Sequence, residues 1–170
     1  MVDHDDSVLL AIAPTDSLLD LWRSLKISKI LWPLEDRGTC HRGYLEAARI
    51  VAEHPRVYKQ LEDKEIHLTG HSFGGSIAEA VAIWLHDTGR KVISSITFGA
   101  PAWMSKRFRW PQEISRSRFV CGRDPIPRLW APRFCHLVQP TRLPSQSPPI
   151  LPFLDHRLKS YMEALNDGTR

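Results

Sequence analysis

The run Gly70-His71-Ser72-Phe73-Gly74-Gly75 places a serine inside a G-x-S-x-G pentapeptide with a strand-like segment before it and a helix-like segment after it. A sharp strand-to-helix turn would lift the Ser72 hydroxyl above a sheet in a strained conformation. Side chains at positions 70 and 74 would then collide with the neighbouring strand or helix. Gly75 lets the helix pack closely. The free N–H groups at the helix N-terminus stabilise negative charge beside the serine. A serine hydroxyl is a weak nucleophile alone; it needs a base, itself oriented by an acid. Where such a turn sits on a mainly parallel sheet, the partners follow in the order acid, then histidine.

Several acids follow Ser72, among them Glu79, Glu113, Asp124 and Asp155. Asp124 lies just past a strand end in Gly122-Arg123-Asp124-Pro125, the place for an acid on a strand-to-helix loop, although an ordinary Asp-Pro turn reads the same way. Asp155 adjoins His156 and reads as a helix cap. Two histidines follow Asp124. His136 sits in Phe134–Val138, which reads as a buried strand and suits a structural histidine; His156 follows a proline-rich loop at the start of the last helix and is the better base. His67 and His71 are four apart but lie at a strand end, and HExxH is absent, so no metal is expected. Cys40, Cys121 and Cys135 form no CxxC pair and are expected to be free thiols in a reducing compartment.

The elements that must position these residues alternate. Ser7–Ala13, Ile66–Thr69, Val92–Phe98, Arg118–Cys121 and Phe134–Val138 read as strands. Ser17–Leu25, a stretch from Tyr44 interrupted at Pro55, Ser76–His86 and Asp155–Leu165 read as helices. Gly38 and Gly43 bracket an expected turn carrying Cys40 and His41, and the five prolines from Pro140 to Pro152 mark an irregular connector. This alternation predicts an α/β fold with a mainly parallel sheet flanked by helices, as one domain over residues 1–170.

The 170 residues are 42% hydrophobic and 25% charged, enough for a packed core and excluding a disordered tail, a coiled coil or a collagen-like rod. No apolar run reaches the roughly 18 residues of a membrane span. The acidic start has no basic n-region, so a secretory signal is not expected and a cytosolic location is. The net charge of +4 is unevenly spread: residues 1–65 carry 9 basic and 12 acidic residues, residues 106–142 carry 9 and 2. The basic stretch suits an anionic membrane surface or an ordinary solvated face; no nucleic-acid motif accompanies it.

From about Val8 to Tyr161 the chain resembles the class 3, fungal-type lipases of the α/β-hydrolase fold. HisLeuThrGlyHisSerPheGlyGlySerIleAla (67–78) is similar to their serine segment, IleThrPheGlyAlaPro (96–101) to the following TFGAP motif, and CysHisArgGlyTyr (40–44) to a VHxGF segment. GlyArgAspProIlePro (122–127) resembles the acid segment and AspHisArgLeuLysSerTyr (155–161) the ending that supplies the base. The resemblance implies a compact α/β-hydrolase with a reduced N-terminal part and a triad of Ser72, Asp124 and His156. It also implies an oxyanion hole of backbone N–H groups from Phe73 and Thr15, although Ala13-Pro14-Thr15-Asp16 stands where the family usually reads FRGT. It implies no cofactor, and a lipid or other hydrophobic ester as substrate. Residues 17–34 occupy the place of the family's lid. Their apolar residues exceed one helical stripe, so a part-exposed helix over the site is expected, with a plain core helix as the alternative. A hydrolase fold serving only as an interaction module, and a membrane-surface binding protein, are the readings from other classes.

Overall fold

The computed structural model describes residues 1–13, 28–148 and 150–167. Six strands form one sheet: β1 (Val2–Asp3), β2 (Ser7–Ile12), β5 (Glu65–His71), β6 (Val92–Phe98), β7 (Ser115–Cys121) and β8 (Thr141–Leu143), in that spatial order. β1 is antiparallel to β2; every other pairing in this sheet is parallel. The expected α/β class and mainly parallel sheet are present. A separate antiparallel hairpin joins β3 (Lys29–Leu31) to β4 (Thr39–His41). Four α-helices are described: α1 (Arg42–Ala52), α2 (Pro55–Gln60), α3 (Phe73–Asp87) and α4 (Leu158–Asp167).

β5 shows how sequence makes the two sides of the sheet different. Its residues alternate strictly, Ile66, Leu68 and Gly70 buried on one face and Glu65, His67, Thr69 and His71 half-buried on the other. The apolar face meets α3, which is buried around its whole circumference from Phe73 to Leu85 and lies between the sheet and α1, as a helix apolar on all sides must. The opposite side of the sheet, toward β7 and β8, is covered by α4, where Tyr161, Ala164 and Cys121 make a much smaller cluster with Phe98, Phe119 and Leu143. No described helix is long and apolar enough to cross a membrane.

Four expectations are corrected. Phe134–Val138 is not a strand: only Cys135 forms an isolated bridge, to Met104. The last strand lies instead in Thr141–Leu143, inside the proline-rich connector, because the spacing of Pro140 and Pro144 leaves three residues free to pair with β7. Cys40 and His41 end a strand and open a helix rather than ride on a turn: His41 caps α1, its Nδ1 accepting from the Gly43 N–H at 3.1 Å. The final α-helix begins at Leu158, with a 3₁₀ turn over Pro152–His156 before it that opens on Pro152.

The expected helix Ser17–Leu25 and the larger part of the expected lid lie outside the described residues. The described end of that segment is not helical. Lys29–Leu31 is strand β3, Leu31 is 68% exposed, and Trp32 is 4% exposed within an aromatic group of Trp84, Trp103 and Phe108. Trp32 also donates through Nε1 to Asp87 at 2.7 Å, and Arg37 pairs with the same carboxylate, which fastens the hairpin to the end of α3.

Candidate active site

Ser72 stands between β5 and α3 with φ 57° and ψ −134°, a conformation that costs a non-glycine residue about 1–3 kcal/mol and persists only where its surroundings impose it. The surroundings here do so. The Ser72 N–H donates to Phe98 O at 2.9 Å, tying the turn to the end of β6. A Cβ at Gly70 would sit 2.4 Å from Gly74 O, and one at Gly74 would sit 2.4 Å from Ile12 O at the end of β2. Gly75 is less confined, with Ala100 Cβ at 2.8 Å from the added atom. The turn can therefore close only with glycines at its flanks. Phe73 is the first residue of α3, so its N–H has no partner within the helix and lies next to the serine.

The two other residues expected to act with Ser72 arrive from different strand ends. Asp124 follows β7 and His156 closes the 3₁₀ turn before α4. Thirty-two residues apart in sequence, they meet at 2.8 Å, His156 Nδ1 to Asp124 Oδ2, while His156 Nε2 lies 2.8 Å from Ser72 Oγ. An ionised carboxylate only accepts, so Nδ1 carries the ring proton and Nε2 offers its lone pair to the serine hydroxyl. All three residues are buried. This arrangement can take a proton from Ser72 and hold the imidazolium that results.

Three neighbours of Ser72, His156 and Asp124 were not foreseen. Tyr161 donates its hydroxyl to the same Asp124 Oδ2 at 2.6 Å, and the Ile126 N–H donates to Oδ1 at 2.9 Å, so both carboxylate oxygens are held. Burial, then the neighbouring Asp124 charge, push the Tyr161 phenol far above its ordinary range, which keeps it a proton donor. His71 stacks on the His156 ring, centroids 4.8 Å apart, and donates from Nε2 to His156 O at 2.7 Å. Burial, with repulsion from His156, lowers His71 to about 4, so this ring is neutral where it touches the base. The tyrosine was visible only as the last letter of a motif; for His71 the signal was its place before Ser72 on the polar face of β5.

Gly99, one residue past β6, has φ 59°, and an added Cβ would lie 2.7 Å from Asp124 Oδ2 and 2.8 Å from Tyr161 Oη. The Phe-Gly-Ala-Pro turn is thus the floor against which acid and tyrosine rest.

The remaining candidates divide. His136 is apart from the triad: its Nε2 donates to Pro127 O at 2.8 Å, and burial lowers it to about 4. Asp155 is not a helix cap. It is fully buried and accepts from the Arg123 and Gln146 N–H groups and from the hydroxyls of Ser145 and Ser147. Burial opposes its ionisation, but these donors hold the carboxyl below the usual range. Asp155 therefore binds the loop carrying Asp124 to the segment carrying His156, a job the spacing of one residue from the base did not reveal. Thr15 lies outside the described residues. No group of three potential metal ligands occurs among the described residues.

Comparison with known proteins follows the geometry. A family model described as lipase (class 3) matches residues 11–134, a span that includes Ser72 and Asp124 and ends before His156. Among solved structures, the chain is similar to the LIP2 lipase of Yarrowia lipolytica at 19% identity and a TM-score of 0.59, covering 82% of this chain and 57% of that one. It is similar to the lipase of Rhizopus microsporus var. chinensis at 21% identity and a TM-score of 0.63, covering 83% and 54%. With M37 lipase the identity is 15%, the TM-score 0.74 and the coverage 96% and 72%. The chain thus spans little more than half the length of the Yarrowia and Rhizopus enzymes. No curated protein sequence matches it. At these identities the structural likeness establishes the α/β-hydrolase fold, and the family model, which spans most of the sequence, establishes descent: the chain belongs to the class 3 lipase family.

Proposed function

We propose that the chain hydrolyses carboxylic esters of lipids through an acyl-enzyme on Ser72. The observation that carries this reading is the unbroken line of contacts from Ser72 Oγ to His156 to Asp124, at 2.8 Å in each step. His156 Nε2 takes the hydroxyl proton as Oγ attacks the ester carbonyl, and the tetrahedral oxyanion forms beside the Phe73 N–H. The imidazolium is stabilised by Asp124, which keeps its own charge. His156 then gives the proton to the departing alcohol as the C–O bond breaks. Water, deprotonated by the same nitrogen, releases the acid and restores the serine.

Thr15 is the candidate for the second oxyanion donor; loss of one such donor costs about 2.7–4 kcal/mol of transition-state stabilisation. The Ala13-Pro14-Thr15-Asp16 sequence favours a second reading, a hydrolase fold with impaired catalysis that serves as an interaction module. A lipid substrate is supported by family membership and by the exposed Ile150, Leu151 and Phe153 immediately before His156.

One experiment separates the readings. The chain is treated with a fluorescent alkyl phosphonate and assayed on p-nitrophenyl esters of increasing acyl length. Labelling of wild type but not of Ser72→Ala, with turnover on the longer esters, is expected. Absence of both labelling and turnover favours the interaction module.

A further inference from the structure

A second polar centre lies behind the acid loop, where the hydrolytic reading assigns nothing. Alternation along β7 sends Arg116, Arg118 and Val120 to one face, and the register of β8 sets Arg142 beside Val120. Arg118 is 5% exposed and donates from Nη1 to Val138 O at 2.8 Å, yet no carboxylate of the described residues lies within ion-pair distance of it. The one buried carboxylate nearby, Glu79, is taken: its Oε1 accepts from Arg116 Nε at 3.0 Å and its Oε2 from Trp103 Nε1 at 2.6 Å. Arg116, its side chain 6% exposed, keeps two terminal nitrogens buried without an acceptor among the described residues. A buried charge is costly unless an opposite charge and hydrogen bonds compensate it.

Arg118 lines a cavity of about 220 Å³ together with Arg128, Arg142, His136, Gln139 and Asp124. Asp124 is its only acidic lining residue, and both of its oxygens already accept from His156, Tyr161 and Ile126. Three guanidinium groups against one carboxylate leave an excess of positive charge that suits a dianion. Guanidinium forks match tetrahedral oxyanions. His136 also lines the cavity, its Nε2 donating to Pro127 O.

We infer that this cavity binds a phosphate group. Binding there does not depend on the hydrolytic reading, because no residue proposed to react with substrate supplies a donor to it. The phosphate is either free or the head group of an anionic lipid, and two arms of one experiment separate these sources.

In the first arm, inorganic phosphate is titrated into wild type at neutral pH by calorimetry. Saturable binding is expected. Because Arg128 and Arg142 are exposed, Arg128→Gln and Arg142→Gln keep the fold, and each raises the dissociation constant about tenfold or more, as loss of one charge-assisted hydrogen bond does. Lys59→Gln on α2, remote from the cavity, leaves it unchanged. In the second arm, the same proteins are sedimented with phosphatidylcholine vesicles with and without phosphatidic acid. Binding that requires phosphatidic acid, falls in the arginine variants and is displaced by free phosphate identifies a lipid head group. Phosphate binding with vesicle partition indifferent to the variants identifies a free anion. The inference is overturned if phosphate does not saturate or if both arginine variants bind as wild type does.

Discussion

The two faces of β5 divide the work of the molecule. Ile66 and Leu68 face the large apolar core with α1 and α3, while His71, on the other face, meets Tyr161 of α4. The strand ends at His71 and Ser72 follows at once, so one strand is both the anchor of the core and the approach to the candidate nucleophile. Burial on the first face supplies the free energy that tolerates strain at Ser72. The second side is too sparsely apolar to add much stability, and its polar groups instead bond to each other: half-buried His71 and buried Asp124, His156 and Tyr161. The difference teaches that stability and chemistry are separable here to within a few ångströms, by the parity of a residue's position on one strand.

That separation can be broken by substitution. The largest effect belongs to His156→Ala. Turnover should fall by on the order of 10⁴–10⁶-fold, as removal of a member of a catalytic triad does, while the melting temperature moves little. His136→Ala, measured alongside, should change stability and leave turnover per folded molecule near wild type, because His136 contacts Pro127 and not the triad. Opposite behaviour of the two histidines would overturn the assignment of the base.

Leu68→Ala tests the other face. Leu68 is 1% exposed, and truncation should cost about 2–5 kcal/mol of stability by denaturant titration. Activity below the transition, corrected for folded fraction, should hold. A large loss of turnover at full folding would show that the two faces are coupled through Ser72.

Tyr161→Phe should have the smallest effect and sharpens the comparison within the polar face. It removes one hydrogen bond to Asp124 Oδ2 while leaving His156 Nδ1 and the Ile126 N–H in place. A hydrogen bond to a charged group is worth about 1.5–3 kcal/mol. The loss should appear mainly in kcat, about tenfold, with KM little changed. An unchanged kcat would make Tyr161 a packing residue only.

Much of this was legible in the residues. Local sterics made the G-x-S-x-G turn readable: a strand-to-helix turn asks for glycines at 70 and 74, and a Cβ added at either would lie 2.4 Å from a backbone oxygen. Asp124 and His156 were readable because each follows a recognisable break at the end of an element. The strand at Phe134–Val138 was misread because β-branched and aromatic residues favour strands without choosing a partner. The backbone at Cys135 bridges to Met104, and β7 pairs instead with Thr141–Leu143. A three-residue strand between prolines carries no periodicity long enough to detect. Asp155 was misread for the opposite reason, since its donors come from Arg123 and from Ser145–Ser147, remote from any helix end.

Legible in the sequence alone were the alternation of strands and helices, the strained serine turn, and the order in which the candidate residues Ser72, Asp124 and His156 follow one another, because each rests on the spacing of neighbours along the chain. Left to the tertiary structure were the ring of His71 on His156, the hydroxyl of Tyr161 on Asp124, the buckle made by Asp155, and the arginines gathered behind the acid loop. These contacts join residues that are not neighbours in sequence, from 8 apart for Ser147 and Asp155 to 85 for His71 and His156, and exist only once the parallel strands bring their carboxyl ends to one edge.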